Sequence, residues 1–162
     1  MRKKINVINY LFYLALIFTA FGVLMSCSAR SGCTDPASDN FDIDAEVDDG
    51  SCIPMTLKFE GNFEIEEECP IDDYFYDMAI RASFNDPFEI VLNNFADLNI
   101  SVSGFVDGYF FEIPDQFFII GGDEINILNG VGELRGNDII ITYVYGENGI
   151  PIEVCELYCF RF

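Results

Sequence analysis

Residues 125–145 read Ile-Asn-Ile-Leu-Asn-Gly-Val-Gly-Glu-Leu-Arg-Gly-Asn-Asp-Ile-Ile-Ile-Thr-Tyr-Val-Tyr. Two short apolar runs, 125–128 and 131–134, precede Gly136-Asn137-Asp138, and a third run over 139–145 follows. Aliphatic and aromatic runs broken by a Gly-Asn-Asp turn predict strand, hairpin and strand. The same texture extends in both directions. Further strands are expected at 74–83, 88–92, 99–106, 109–113 and 152–160, with Asp107-Gly108 at another hairpin turn. Residues 56–65 alternate, with Leu57, Phe59, Phe63 and Ile65 on one face and Lys58, Glu60, Asn62 and Glu64 on the other. Gly61 within this run marks a bend or bulge. No segment sustains a helical period. Eight or nine short strands indicate an all-β fold over residues 55–162, a small antiparallel barrel or sandwich in meander order.

The bulk composition limits what such a domain can do. The chain has 162 residues, 28 acidic against eight basic, and a formal net charge of −20. Arg2, Lys3 and Lys4 precede every acidic residue, so the chain after residue 26 carries five basic against 28 acidic groups, about −23. A surface of that sign repels phosphate backbones, which argues against nucleic acid as a partner. Hydrophobic residues make up 51% and aromatics 15% of the sequence, too many for a disordered acidic tail. Histidine is absent, which removes His-based triads, His-ligated zinc and imidazole bases. The acidic runs Glu66-Glu67-Glu68 and Asp72-Asp73 read as solvated loop residues rather than a catalytic acid–base pair. Gly121-Gly122 is not read as a phosphate cradle, because no helix follows and the surroundings are acidic. No catalytic residues are expected.

The N-terminus has the order of an export signal: basic residues at 2–4, an apolar stretch at 11–25, then Ser26-Cys27. Leu24-Met25-Ser26-Cys27 resembles the lipobox of bacterial lipoproteins. The resemblance implies a signal peptide over 1–26, a diacylglyceryl thioether on Cys27 and a tether over 27–31. Ser28 is not the Asp associated with inner-membrane retention, so the expected address is the cell envelope, at the outer membrane. The expected partners are the membrane, through the lipid, and an envelope protein.

Six cysteines occupy positions 27, 33, 52, 69, 155 and 159. Cys33 and Cys52 bracket a short acidic segment and form the natural local pair; closing a loop of that size contributes about 3 kcal/mol in the chain-entropy model. Cys69 is expected to reach the C-terminal strand, where Cys155 is preferred and Cys159 remains possible. Cys155 and Cys159 cannot pair with each other on an extended strand, where their Cα atoms lie about 13 Å apart.

The segment over 32–53 contains Gly32-Cys33-Thr34-Asp35-Pro36 at one end and Asp48-Asp49-Gly50-Ser51-Cys52 at the other. With Asn40, Phe41 and Ala45 it resembles a short G-C-T-D-P…D-D-G-S-C module of secreted and surface proteins in Bacteroidetes-like bacteria. Asp35, Asp39, Asn40, Asp42, Asp44, Asp48 and Asp49 offer oxygens of the kind calcium takes. Ala45 and Ser51 stand where an EF-hand loop needs Gly and Glu, so this is no EF-hand. A structural calcium ion is one expectation; turn capping in a disulfide-closed segment is the other. Phe41 and Val47 are expected to form its miniature core.

The region from Asn94-Phe95 to Cys155 also resembles an uncharacterised lipoprotein domain of the same bacteria, some members of which are lipocalin-like. The matching pieces are Val102, Val106-Asp107-Gly108, Ile113-Pro114-Asp115-Gln116, Gly130-Val131-Gly132-Glu133-Leu134, Gly136-Asn137 and Thr142-Tyr143. The expected function is non-enzymatic, with the β-domain as an interaction module. The alternative is a lipocalin-like carrier of a small apolar ligand.

Overall fold

The computed structural model describes residues 29–162. Residues 1–26, expected as a signal peptide, and Cys27, the expected lipidation site, lie outside the described residues. The first structured unit is the acidic module, in which β1 (Ser31–Gly32) and β2 (Val47–Asp48) pair in parallel. Cys33 bonds to Cys52 across it. Phe41 and Val47 do not form a core here: both are exposed, and the buried residues are Cys33, Ala37 and Ser38. So short a segment cannot cover a large side chain. Its order comes from the disulfide and from side chains bonded to backbone.

A single 3-10 turn, Met55–Lys58, joins the module to the main domain. The sequence predicts a strand from Thr56; the strand begins only at Gly61, and Leu57 is exposed while Phe59 is fully buried. The domain then runs through β3 (Gly61–Glu68), β4 (Asp73–Ala82), β5 (Glu89–Phe95), β6 (Ile100–Asp107), β7 (Phe110–Ile113), β8 (Gln116–Ile120), β9 (Asp123–Arg135), β10 (Asp138–Glu147) and β11 (Ile150–Arg161). Each strand pairs antiparallel with its sequence neighbour, except that β7 and β8 lie end to end along the same edge of β9. β11 returns to β3 and closes the ring. The architecture is an eight-stranded antiparallel barrel in meander order, with β7 and β8 sharing one wall position and the outer edge of β8 left without a strand partner.

Alternation puts one face of each strand inside. Phe63, Ile65, Met78, Ile80, Ile90, Leu92, Phe95, Val102, Phe111, Ile113, Ile127, Ile139, Ile141, Tyr143 and Leu157 fill the interior. Phe59 enters from the 3-10 turn and meets Phe111 edge to face, with ring centroids 5.4 Å apart. Phe95 and Tyr143 make a similar contact at 4.9 Å. The interior is therefore packed by side chains, with Phe59 plugging the end at which β3 begins.

Gly130 and Gly132 make that packing possible. A Cβ on Gly132 would stand 2.1 Å from the Phe111 ring, and one on Gly130 would stand 2.6 Å from Ile113. The Gly-x-Gly motif is a pair of inward-facing gaps on β9 that receive the two side chains of β7.

Ile113-Pro114-Asp115-Gln116 has an equally local purpose. Pro114 has no N–H for the ladder and interrupts the wall between β7 and β8. The Gln116 side-chain amide takes over. Its Oε1 accepts from the Ser103 N–H at 2.9 Å and its Nε2 donates to the Ser103 carbonyl at 2.9 Å. Asp115 accepts from the Asn129 N–H at 3.0 Å on the opposite side of the break. Gln116→Ala removes both bonds to Ser103 and should lower unfolding free energy by about 2 kcal/mol, read from urea denaturation.

The plugged end is latched by the last strand. Arg161 donates to the carbonyls of Glu60, Lys58 (2.6 Å) and Asn137 (3.1 Å), with its guanidinium 4.8 Å from the Phe63 ring centroid. The acidic module joins the domain at this end: the Met55 N–H donates to Ala37, and Lys58 pairs with Asp39 at 2.6 Å. The opposite end, where β3 finishes, is open.

Candidate functional site

The open end is shaped by the strand that the sequence places least well. Glu66-Glu67-Glu68 are not in a loop; they are the last three residues of β3. In the alternation of that strand Glu67 follows Phe63 and Ile65 inward, and it is only 2% exposed. Burying a carboxylate needs hydrogen-bond partners, and two phenols supply them. Tyr143 on β10 donates to Oε1 at 2.5 Å, and Tyr76 on β4 donates to Oε2 at 2.8 Å. The group joins three strands across the barrel lumen.

Burial raises the Glu67 pKa above its ordinary 4.5, opposed by the bonds from Tyr143 and Tyr76 and aided by the charges of Glu153 and Asp97. Burial and the Glu67 charge push both phenols up as well, and burial raises the Cys159 thiol nearby. A carboxyl with a raised folded pKa favours the folded state below its unfolded value, and that contribution is lost as pH rises through the folded value. Wild type should thus lose stability relative to Glu67→Gln from pH 4.5 upward until the carboxyl has ionised. Paired denaturant titrations across pH measure this difference; a difference independent of pH would contradict the buried ionisable assignment. Glu67→Ala, which strands two phenols and opens a void, should cost about 3 kcal/mol or more.

Above Glu67 the barrel opens into a pocket of about 430 Å³. Its floor is Glu67 and Tyr143, and its walls include Tyr145, Leu98, Ile152 and Glu153. Ile71 and Tyr74 on the β3–β4 side complete a partly apolar rim; Ile71 is 73% and Ile152 48% exposed. A disulfide between Cys69 and Cys155 pins the rim, tying the end of β3 to β11. Tyr145 donates to Glu147 at 2.8 Å, and burial together with that bond pushes its phenol up to about 12. Oε2 of Glu153 is buried and has no hydrogen-bond partner, the only such side-chain atom among the described residues.

No protein-family model and no curated protein matches this chain. The geometry alone therefore carries the reading of the site.

The residues proposed for calcium have a different arrangement. Asp35, Asp42, Asp48 and Asp49 each accept from the N–H two positions on, those of Ala37, Asp44, Gly50 and Ser51, at 2.9–3.0 Å. Asn40 bonds the Ser51 carbonyl and the Ile53 N–H. Asp39 pairs with Lys58, and Asp42 and Asp44 both pair with Arg30. These are turn caps and ion pairs spread along the module. Among the described residues, the one group of three acidic or cysteine ligand atoms within 4.8 Å of each other is Glu67, Cys69 and Cys155. Both thiols there are consumed by the disulfide.

Glu67 was detectable from period 2 alone, since it is in phase with Phe63 and Ile65. Its partners were not, because Tyr76 and Tyr143 reach it only through the closure of the ring.

Proposed function

We propose that this chain is a non-enzymatic, lipid-anchored protein of the cell envelope whose barrel is a rigid interaction module. Cys27 carries the anchor in this reading, at the outer membrane. The observation that carries the functional part is the contrast between the two ends: the interior and one end are filled, and the other end holds an acidic mouth with an apolar rim. Ile71, Tyr74 and Ile152 expose apolar surface around the buried Glu67 and the more open carboxylates Asp72, Glu147 and Glu153, an arrangement suited to docking a partner. The chain enters the domain through the module at the plugged end, so a tether there leaves the mouth unobstructed.

A closed eight-stranded barrel also suits a carrier of a small apolar ligand. The packed interior argues against it, because Phe59, Phe95, Phe111 and Tyr143 occupy the volume such a ligand would take.

Photo-crosslinking in cells expressing the full chain tests the interaction reading. A crosslinker at position 152 should capture an envelope protein, and one at Phe84, fully exposed beyond β4 at the plugged end, should not. Capture from 84 and not from 152 would move the interface away from the mouth.

A calcium ion in the module remains a separate proposal. Its occupancy would appear as a melting temperature that rises with added calcium and falls with EDTA.

A further inference from the structure

The barrel wall has an open seam along β8. β8 and β9 meet through the two-residue turn Gly121-Gly122, with Ile120 opposite Asp123 and positive φ at both glycines. Such a turn closes on a hydrogen-bonded pair, and bonded pairs then recur at every second residue. Phe118 and Ile120 therefore bond β9, while the N–H and C=O groups of Phe117 and Ile119 point away from it. Among the described residues no strand lies there to take them. β6 has the same phase on the other side of the seam. It pairs with β7 only over Phe105–Asp107, and the backbone groups of Ser103, next in phase, are taken by the Gln116 side chain. Nothing within β8 guards the edge. Gln116-Phe117-Phe118-Ile119-Ile120 carries no charge, and Phe117 and Ile119 are 61% and 72% exposed. Unused edges are normally blunted by lysine, proline or a bulge; here Pro114 precedes the strand and blocks neither pair of groups.

We propose that the outer edge of β8 binds an extended protein segment as an added strand, with apolar side chains against Phe117 and Ile119 and Lys or Arg at its ends. This surface goes beyond the mouth, whose pocket includes no residue of β8. Unpaired main-chain groups at alternate residues specify an extended backbone, the chemistry of strand addition. Charge specifies the ends of the segment. Asp115, Asp123 and Glu124 bracket β8, and the five basic side chains of the described residues lie elsewhere. Arg30 and Lys58 pair with the acidic module, Arg135 pairs with Glu133 at the far end of β9, and Arg81 and Arg161 bond carbonyls near the start of β3. A second copy of the chain fits less well, because it would bring another Asp115, Asp123 and Glu124 to the same edge with no basic residue to offset them.

The full chain, purified in a non-ionic detergent, is titrated with three synthetic peptides. They are Lys-Lys-Val-Thr-Val-Thr-Val-Lys-Lys, the same peptide with glutamates for lysines, and the lysine form N-methylated at its five central residues. Calorimetry gives affinity and amide hydrogen exchange gives the place. In the free chain the amides of Phe117 and Ile119 should exchange fast and those of Phe118 and Ile120 slowly. The lysine peptide should bind and protect Phe117 and Ile119. The glutamate form should bind about tenfold or more weakly, and the N-methylated form not at all. Ile119→Pro deletes an edge donor without touching a bond to β9 and should abolish binding. Ile119→Lys should do so through charge, and it decides the matter if the proline variant loses its cooperative melt. Ile152→Lys, at the mouth rim, should leave affinity unchanged. Equal binding of the N-methylated peptide, or full affinity in Ile119→Lys, would overturn strand addition. Equal binding of the glutamate form would overturn the basic partner. A chain that sediments as a dimer, and as a monomer in Ile119→Pro, would assign the edge to a second copy instead. If the lysine peptide fails while position 152 captures a protein, only this inference falls. If it binds and position 152 captures nothing, the mouth reading falls and the edge stands.

Discussion

Gly132→Val should leave the domain unable to reach its native packing. The added Cβ alone would lie 2.1 Å from the Phe111 ring, inside any permissible contact, and the two Cγ atoms would lie deeper in the lumen. Phe111 cannot yield. Its ring is also 3.0 Å from where a Cβ on Gly104 would stand, and Phe59 meets it edge to face on another side. Overpacking usually costs about 1–3 kcal/mol, and more where neighbours are fixed. With small domains stable by only about 5–15 kcal/mol, the expected result is loss of the cooperative thermal transition. Gly132→Ala should fold but lose about 3 kcal/mol or more, read from the urea midpoint. Phe111→Leu in the Gly132→Ala background should recover part of that loss, because it removes the clashing ring atoms. No recovery would mean that the glycine serves backbone geometry and not the ring.

Breaking the Cys69–Cys155 disulfide should be the other large loss. The bond closes a loop with a sequence separation of 86, against 19 for Cys33–Cys52. In the chain-entropy model that longer loop is worth about 4–5 kcal/mol and the shorter about 3 kcal/mol. Cys69→Ala with Cys155→Ala should therefore lower the unfolding free energy more than Cys33→Ala with Cys52→Ala. The site of the effect should differ too. The first pair loosens the rim beside Glu67, raising hydrogen exchange at the end of β3 and in β11 around residue 155; the second loosens the acidic module. Equal losses, or exchange changes confined to the module in both cases, would contradict the assignment of Cys69–Cys155 as the brace of the mouth.

The barrel was readable because its signals are local and repeated. Alternating apolar residues, Asp107-Gly108 and Gly136-Asn137 placed six strands and two hairpin turns close to where they occur. Gln116–Ile120 escaped because Phe117, Phe118, Ile119 and Ile120 show no alternation and follow a proline. Residues 125–128 and 131–134 read as two strands, yet β9 runs unbroken through Asn129, whose positive φ of 50° and bond to Asp115 absorb the irregularity. The glycines of Gly-x-Gly were visible but their purpose was not, since Phe111 sits over Gly132 only once β7 lies beside β9. The pairing of Cys33 with Cys52 followed from proximity. The choice of Cys155 over Cys159 for Cys69 turns on one strand register, Tyr143 opposite Cys155 and Ile139 opposite Cys159, with Cys159 buried deeper in the barrel as a free thiol. The mouth was least legible. A run of three glutamates looks solvated, and the two phenols that make burial of the middle one tolerable come from residues 9 and 76 positions away.

Native mass spectrometry of the full chain, purified from an oxidising compartment and released gently from detergent, tests the filled barrel most directly. Two intact disulfides and no retained organic molecule of a few hundred daltons are the predicted result, because the interior holds only the chain's own side chains. A bound apolar molecule of that size, surviving desolvation and removed by organic solvent, would contradict it and would show that the barrel opens to carry a ligand.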